Sequence, residues 1–156
     1  MGKRIVPLLL GFYLAAVTLA TVQQAQATLG ESVDSVASDR KAFSAVQHAT
    51  TTRNGFTVQE FQSEANSVRE YLSPSGVVFA VAWNGLSHPD LTPLLGTYVD
   101  EYKQALRGTA IWKGRRYLQV QANRVIVEKW GHMRNMQGRA YIPVLVPSGV
   151  RIDEIK

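Results

Sequence analysis

The chain has 156 residues, a formal net charge of +5 and no cysteine. Without cysteine there is no disulfide, no thiolate metal site and no cysteine for a lipid anchor, so the fold rests on its core. The positive charge is mild and dispersed, which argues against nucleic acid as a partner and allows only loose attraction to anionic surfaces.

Lys3 and Arg4 precede an uncharged, mostly apolar run from Ile5 to Ala20, and Ala25-Gln26-Ala27 follows with small residues two apart. That order is the pattern of a secretory signal peptide over residues 1–27. The run is shorter than the ~20 residues of a typical spanning helix. Cleavage after Ala27 predicts a single α+β domain over residues 28–156, whose charge falls to +3 because Lys3 and Arg4 leave with the leader. No later apolar run is long enough to span a membrane. A domain of this size buries roughly two thirds of its unfolded surface.

Along the domain, Ser32 to Val46 reads as a first helix, with Val36, Phe43 and Val46 near one face. His48 to Gly55 reads as a polar loop closed by Asn54-Gly55. Strands follow at Phe56–Gln62, Ser67–Ser73 and Val77–Trp83. Pro74-Ser75-Gly76 joins the last two as a three-residue loop with Gly76 left-handed. That loop sets Ser73 against Val77, Tyr71 against Phe79 and Arg69 against Val81. Val77 to Ala82 is apolar on both faces, as in a strand covered on both sides. Thr92-Pro93 reads as the cap of a second helix, carrying Leu94, Leu95, Tyr98, Val99, Tyr102 and Leu106 and ending before Gly108. Tyr117–Gln121 and Arg124–Trp130 read as a hairpin, Gly131 to Gln137 as a loop and Gly138–Val146 as a last strand. The expected fold class is α+β: a mostly antiparallel sheet of about five to six strands with two helices.

Several short motifs stand in one order: Leu29-Gly30, Ser38-Asp39-Arg40, Val68-Arg69-Glu70-Tyr71, the run from Gly76 to Trp83, Pro89-Asp90-Leu91, Leu94-Leu95-Gly96, Gly131-His132-Met133-Arg134 and Gly138-Arg139-Ala140-Tyr141. Together they resemble an uncharacterised bacterial family of small exported proteins, a domain of unknown function. The resemblance implies an exported or periplasmic location. It implies no activity and supplies no catalytic residues.

Two groups of residues are candidates for binding. His132, Arg134, Arg139 and Tyr141 form the first, since arginine forks and a loop histidine suit a carboxylate or phosphate. The competing reading is a structural network in which an arginine pairs with a carboxylate. Trp112, Arg115 and Arg116, in a basic loop, form the second. Glu70 sits between Val68 and Leu72 and needs a partner if buried, which suggests an ion pair with Arg134 or Arg139. The rival is a small hydrolase or transferase using Glu70 and His132, which requires the two within about one water of each other. In His88-Pro89-Asp90 the aspartate reads as a cap. Trp83, Tyr98 and Tyr102 either fill the space between helix and sheet or line a groove for a sugar or peptide. His48, His88 and His132 have no metal-ligand spacing, and no nucleotide motif occurs, so no metal or cofactor is expected. The leading expectation is a non-enzymatic periplasmic or secreted protein that binds an envelope protein or an anionic ligand.

Overall fold

The computed structural model describes residues 29–32, 46–53, 55–110 and 116–156. Seven strands form one antiparallel sheet: β1 (Val46–Arg53), β2 (Phe56–Gln62), β3 (Asn66–Leu72), β4 (Val78–Gly85), β5 (Tyr117–Gln121), β6 (Ile126–His132) and β7 (Asn135–Tyr141). Their order is β1-β2-β3-β4-β7-β6-β5. α1 (Leu91–Leu95), a 3₁₀ turn (Gly96–Tyr98) and α2 (Val99–Gly108) follow one another as a single 18-residue helical stretch.

This corrects the expected count. Among the described residues there is one helical stretch, not two helices, and there are seven strands, not five to six. Val46, expected to end a first helix, begins β1, and His48 to Arg53 continue that strand. The three consecutive threonines Thr50 to Thr52 are β-branched and suit a pleated strand as well as they suit a loop. Ser32, the expected helix start, bridges to Val77 instead. Residues 33–45 of that expected helix lie outside the described residues.

β4 lies at the middle of the sheet, and every residue from Val78 to Trp83 is buried. Its unbroken apolar run is accounted for by cover on both faces. One face packs on the helical stretch. Phe61, Val68, Leu72, Val78, Val81, Trp83 and Val127 meet Leu91, Leu94, Leu95 and Tyr102 there. Asp90, not Thr92, caps α1, its Oδ1 accepting from the Thr92 amide at 2.9 Å. The other face carries Phe56, Tyr71, Phe79, Ala80, Ala82 and Tyr141, and Ile155 from the C-terminal segment closes over them.

The hairpin of β3 and β4 shows how an expected turn yields an unexpected register. Gly76 has φ 79°, and the Ser73 amide donates to the Val77 carbonyl at 2.9 Å, as the Pro-Ser-Gly loop requires. Leu72 then faces Val78, but Tyr71 faces Ala80 and Glu70 faces Val81, leaving Phe79 as an extra residue on β4. A bulge of this kind turns two successive side chains to one face. Phe79 thereby joins Phe56 and Tyr71 in edge-on contacts with ring centroids 6.2 Å away. Val81 and Trp83 move to the helix side. Arg69 and Tyr71 stay on the opposite side with Ala82, no longer facing Val81 and Phe79 as expected.

The last hairpin has a shorter turn than expected, and its second strand ends earlier. β6 runs through Gly131 and His132, and β7 begins at Asn135, so only Met133 and Arg134 lie between the strands. β7 stops at Tyr141: the Ile142 amide still donates to the Phe79 carbonyl, but Pro143, which lacks an amide hydrogen, opens a 3₁₀ turn.

Candidate functional site

Strand register places one row of polar side chains across the face opposite the helix. Glu60 pairs with Arg69, Arg69 with Ala82, Ala82 with Arg139, Arg139 with Glu128 and Glu128 with Gln119. Directly paired residues point to the same side of a sheet. Two arginines therefore stand on either side of the small Ala82, each with a carboxylate on its outer side. The C-terminal segment runs through the gap. Arg139 Nη1 donates to the carbonyls of Ile152 at 2.6 Å and Ile155 at 3.2 Å. Arg69 Nη1 and Tyr71 Oη donate to the main-chain oxygen of Lys156 at 2.6 and 2.9 Å. Burial pushes the Tyr71 phenol up, partly opposed by its bond to Lys156 and by the charges of Arg69 and Arg53.

On the β5–β7 side, Glu128 is buried, 5% exposed, and is held from three directions. Arg139 Nε pairs with its Oε2, while Tyr117 Oη and Gln119 Nε2 donate to its Oε1 at 2.8 and 3.2 Å. The Arg139 guanidinium also lies 5.5 Å from the Trp130 ring centre. Burial, then the bond to Glu128, pushes the Tyr117 phenol up to about 12. Tyr141 is buried and is likewise pushed up, by burial and by the Glu128 carboxylate.

The four residues expected to form one cluster therefore separate. Arg139 belongs to the buried network around Glu128, and Tyr141 to the cluster with Phe56, Tyr71 and Phe79. His132 and Arg134 are exposed at the β6–β7 turn, and Arg134 lies roughly 17 Å along the strand from Arg139 at ~3.4 Å per residue. The expected pairing of Glu70 with Arg139 is also corrected. Glu70 is 1% exposed and shares the helix-side face with Val68 and Leu72, whereas Arg139 points to the other face and binds Glu128. Nor does Glu70 meet His132. Glu70 is level with Val81, Ala140 and Val127, and His132 is five residues further along β6, roughly 17 Å. The arrangement required for acid–base chemistry between them is not formed.

What the structure does bring together is the end of the basic loop and the β6–β7 turn. The Gly131 amide donates to the Arg116 carbonyl at 3.2 Å. Arg116, His132 and Arg134 are all exposed at this corner, beside Met133 at 88% and Tyr117 at 47% exposure. Trp112 and Arg115 lie outside the described residues. Arg134 holds φ 61°, in the left-handed region that favours glycine or asparagine.

Trp83, Tyr98 and Tyr102 pack between helix and sheet. Trp83 Nε1 donates to His88 Nδ1 at 3.1 Å, and burial, then Lys129, lowers the His88 pKa. Among the described residues no three carboxylate or histidine side chains are grouped to hold a metal ion. No described helix is long and apolar enough to cross a membrane.

Sequence reasoning missed Glu128, Arg69 and Tyr71. Glu128 follows Val127 and precedes Lys129 in a strand whose alternation marks its face as solvent. Tyr117 and Gln119 of β5 and Arg139 of β7, which also holds the C-terminal segment, enclose it there.

A family model matches residues 25–155. The chain belongs to the DUF2844 family, described as proteins of unknown function. No curated protein and no solved structure matches it. Within this DUF2844 domain, Leu29 is fully buried in the helix-side core, and Gly30, at φ 91°, packs against Tyr98. The opening Leu29-Gly30 motif is thereby part of the fold, not of the exposed corner.

Proposed function

We propose that this DUF2844 chain is exported and acts without catalysis, docking an anionic group of an envelope partner at the corner formed by Arg116, His132 and Arg134. The export reading rests on the leader: Lys3 and Arg4, the apolar run and Ala25-Gln26-Ala27. The matched family region begins at residue 25, so most of that leader stands outside it. The binding reading rests on one observation. The bond between Gly131 and Arg116 sets two basic segments side by side, while the nearby Glu128 is already engaged by Arg139. The positive φ of Arg134 adds weight, because strained backbone of this kind costs ~1–3 kcal/mol and tends to persist where a side chain has work to do.

Two measurements test the proposal. The first is the mass of the protein recovered outside the cytoplasm. Processing to Thr28 is expected, and an unprocessed cytoplasmic product refutes export. The second compares wild type with an Arg116→Glu/Arg134→Glu variant in affinity capture from an envelope extract. Both positions are exposed, so the variant is expected to keep its melting temperature and lose the partner that wild type retains. A folded variant that retains the same partner refutes the corner as the docking site.

A further inference from the structure

A second concave site lies on the same face, on the other side of the C-terminal segment. It is a cleft of about 440 Å³ between β1–β3 and residues 153–156, within the size range of small-ligand sites. Its floor follows from register. Thr51, Val58 and Tyr71 stand in one cross-strand row; Tyr71 is buried beneath the cleft, so the half-buried Val58 side chain provides the apolar base, with the Thr51 hydroxyl at its edge. Arg53 lies two residues beyond Thr51 on the same side of β1, and Lys156 closes the opposite wall.

Three carboxylates, Glu60, Asp153 and Glu154, and three cations, Arg53, Arg69 and Lys156, line this cleft. Glu60 is engaged by Arg69 at 3.3 Å and by the Ser67 hydroxyl at 2.7 Å. Asp153 is engaged by Arg151 at 2.6 Å, and Glu154 accepts from the Arg151 amide at 3.2 Å. Arg53 and Lys156 line the same cleft, and neither is within ion-pair distance of a described carboxylate, although the Lys156 charge is felt by Asp153. Arg69 is already fixed by Glu60 and the Lys156 main chain, so the cleft wall is pre-organised.

We propose that this cleft binds a small ligand with one anionic head and a short apolar body. The head lies between Arg53 and Lys156, and the body rests on Val58. This site is separate from the Arg116–Arg134 corner and stands whether or not that corner docks a partner. A carboxylate and a phosphate present the same anionic oxygens to these two cations, so both heads are tested.

The purified chain is titrated with hexanoate, hexyl phosphate and hexanol while the backbone amides of Thr51, Val58 and Lys156 are followed by NMR. Saturable shifts are expected with at least one anionic probe and not with hexanol. A lower Kd for hexyl phosphate assigns a phosphate head, and the reverse assigns a carboxylate. Arg53→Gln and Lys156→Gln, both at exposed positions, are each expected to raise the Kd about tenfold, the scale of one lost charge-assisted hydrogen bond. Equal shifts with hexanol, no saturable shift with either anion, or an unchanged Kd in both variants overturns the proposal.

Discussion

Replacing Arg139 with alanine removes the group that joins the sheet, Glu128 and the C-terminal segment. Glu128 is 6% and Arg139 19% exposed at the side chain, so water screens little of the pair. Deleting one partner of a buried ion pair costs ~3–5 kcal/mol, chiefly from the charge left without its counterpart. Tyr117 and Gln119 still donate to Glu128, which favours the lower end of that range. The Ile152 and Ile155 carbonyls lose their bonds to Arg139, adding about 1 kcal/mol. The expected loss is therefore about 4 kcal/mol, a large share of the ~5–15 kcal/mol that holds most domains folded. Urea unfolding of wild type, Arg139→Ala and the double variant Glu128→Leu/Arg139→Met measures it. The double variant replaces the pair with apolar side chains of similar bulk and is expected to recover most of the loss. Hydrogen exchange adds a local readout: the Ile155 amide, bonded to Ile152 at 3.1 Å, is expected to lose protection in Arg139→Ala. A cost below about 1 kcal/mol with Ile155 protection unchanged refutes the account of Arg139 as the joint between sheet and segment.

Two further outcomes follow from the packing. At Gly138 an added Cβ meets the Trp83 ring and, at 2.6 Å, the Glu128 carbonyl, so Gly138→Ala is expected to destabilise by about 1–3 kcal/mol and to shift tryptophan emission. An unchanged melting temperature and spectrum count against that close approach. The lowered pKa of His88 predicts a pH dependence of determinate sign. Below its ordinary value of 6.5, the unfolded chain takes up a proton before the folded one does. The contribution of His88 to stability is thus fully present above pH 6.5 and is lost as pH falls through the lower folded value. Melting curves from pH 8 down to about 5 are expected to decline less steeply for His88→Gln, and parallel curves defeat the assignment.

Local chemistry accounts for the parts of the fold that the chain states openly. Pro74-Ser75-Gly76 makes its turn with Gly76 left-handed, and Tyr117–Gln121 opens the expected hairpin. The helical stretch carries the expected periodic residues, although its cap is Asp90. β1 was harder to read, because Thr50-Thr51-Thr52 is compatible with both loop and strand and only pairing with β2 decides between them. Gly131 and the turn at Arg134 look like loop chemistry, yet both positions belong to or adjoin paired strands. Of the candidate binding residues, Arg116, His132 and Arg134 are exposed near the β6–β7 turn, while Arg139 is absorbed into the network around Glu128 and Tyr141 into the cluster with Phe56, Tyr71 and Phe79.

By itself the amino-acid sequence determined a basic-then-apolar N-terminal run, a central strand apolar on both faces, a Pro-Ser-Gly hairpin and a periodic helix. Each depends on neighbours a few residues apart, where side-chain period and turn preference act directly. Tertiary structure alone decided the bulge at Phe79, which faces of β3 and β4 turn toward the helix, and the use of Arg69, Tyr71 and Arg139 to hold residues 152–156. Tyr71 and Lys156 are 85 residues apart, and no local preference specifies their bond. It forms because burying Ile155 against Phe56, Phe79 and Tyr141 brings the segment's main-chain oxygens beside side chains able to donate to them.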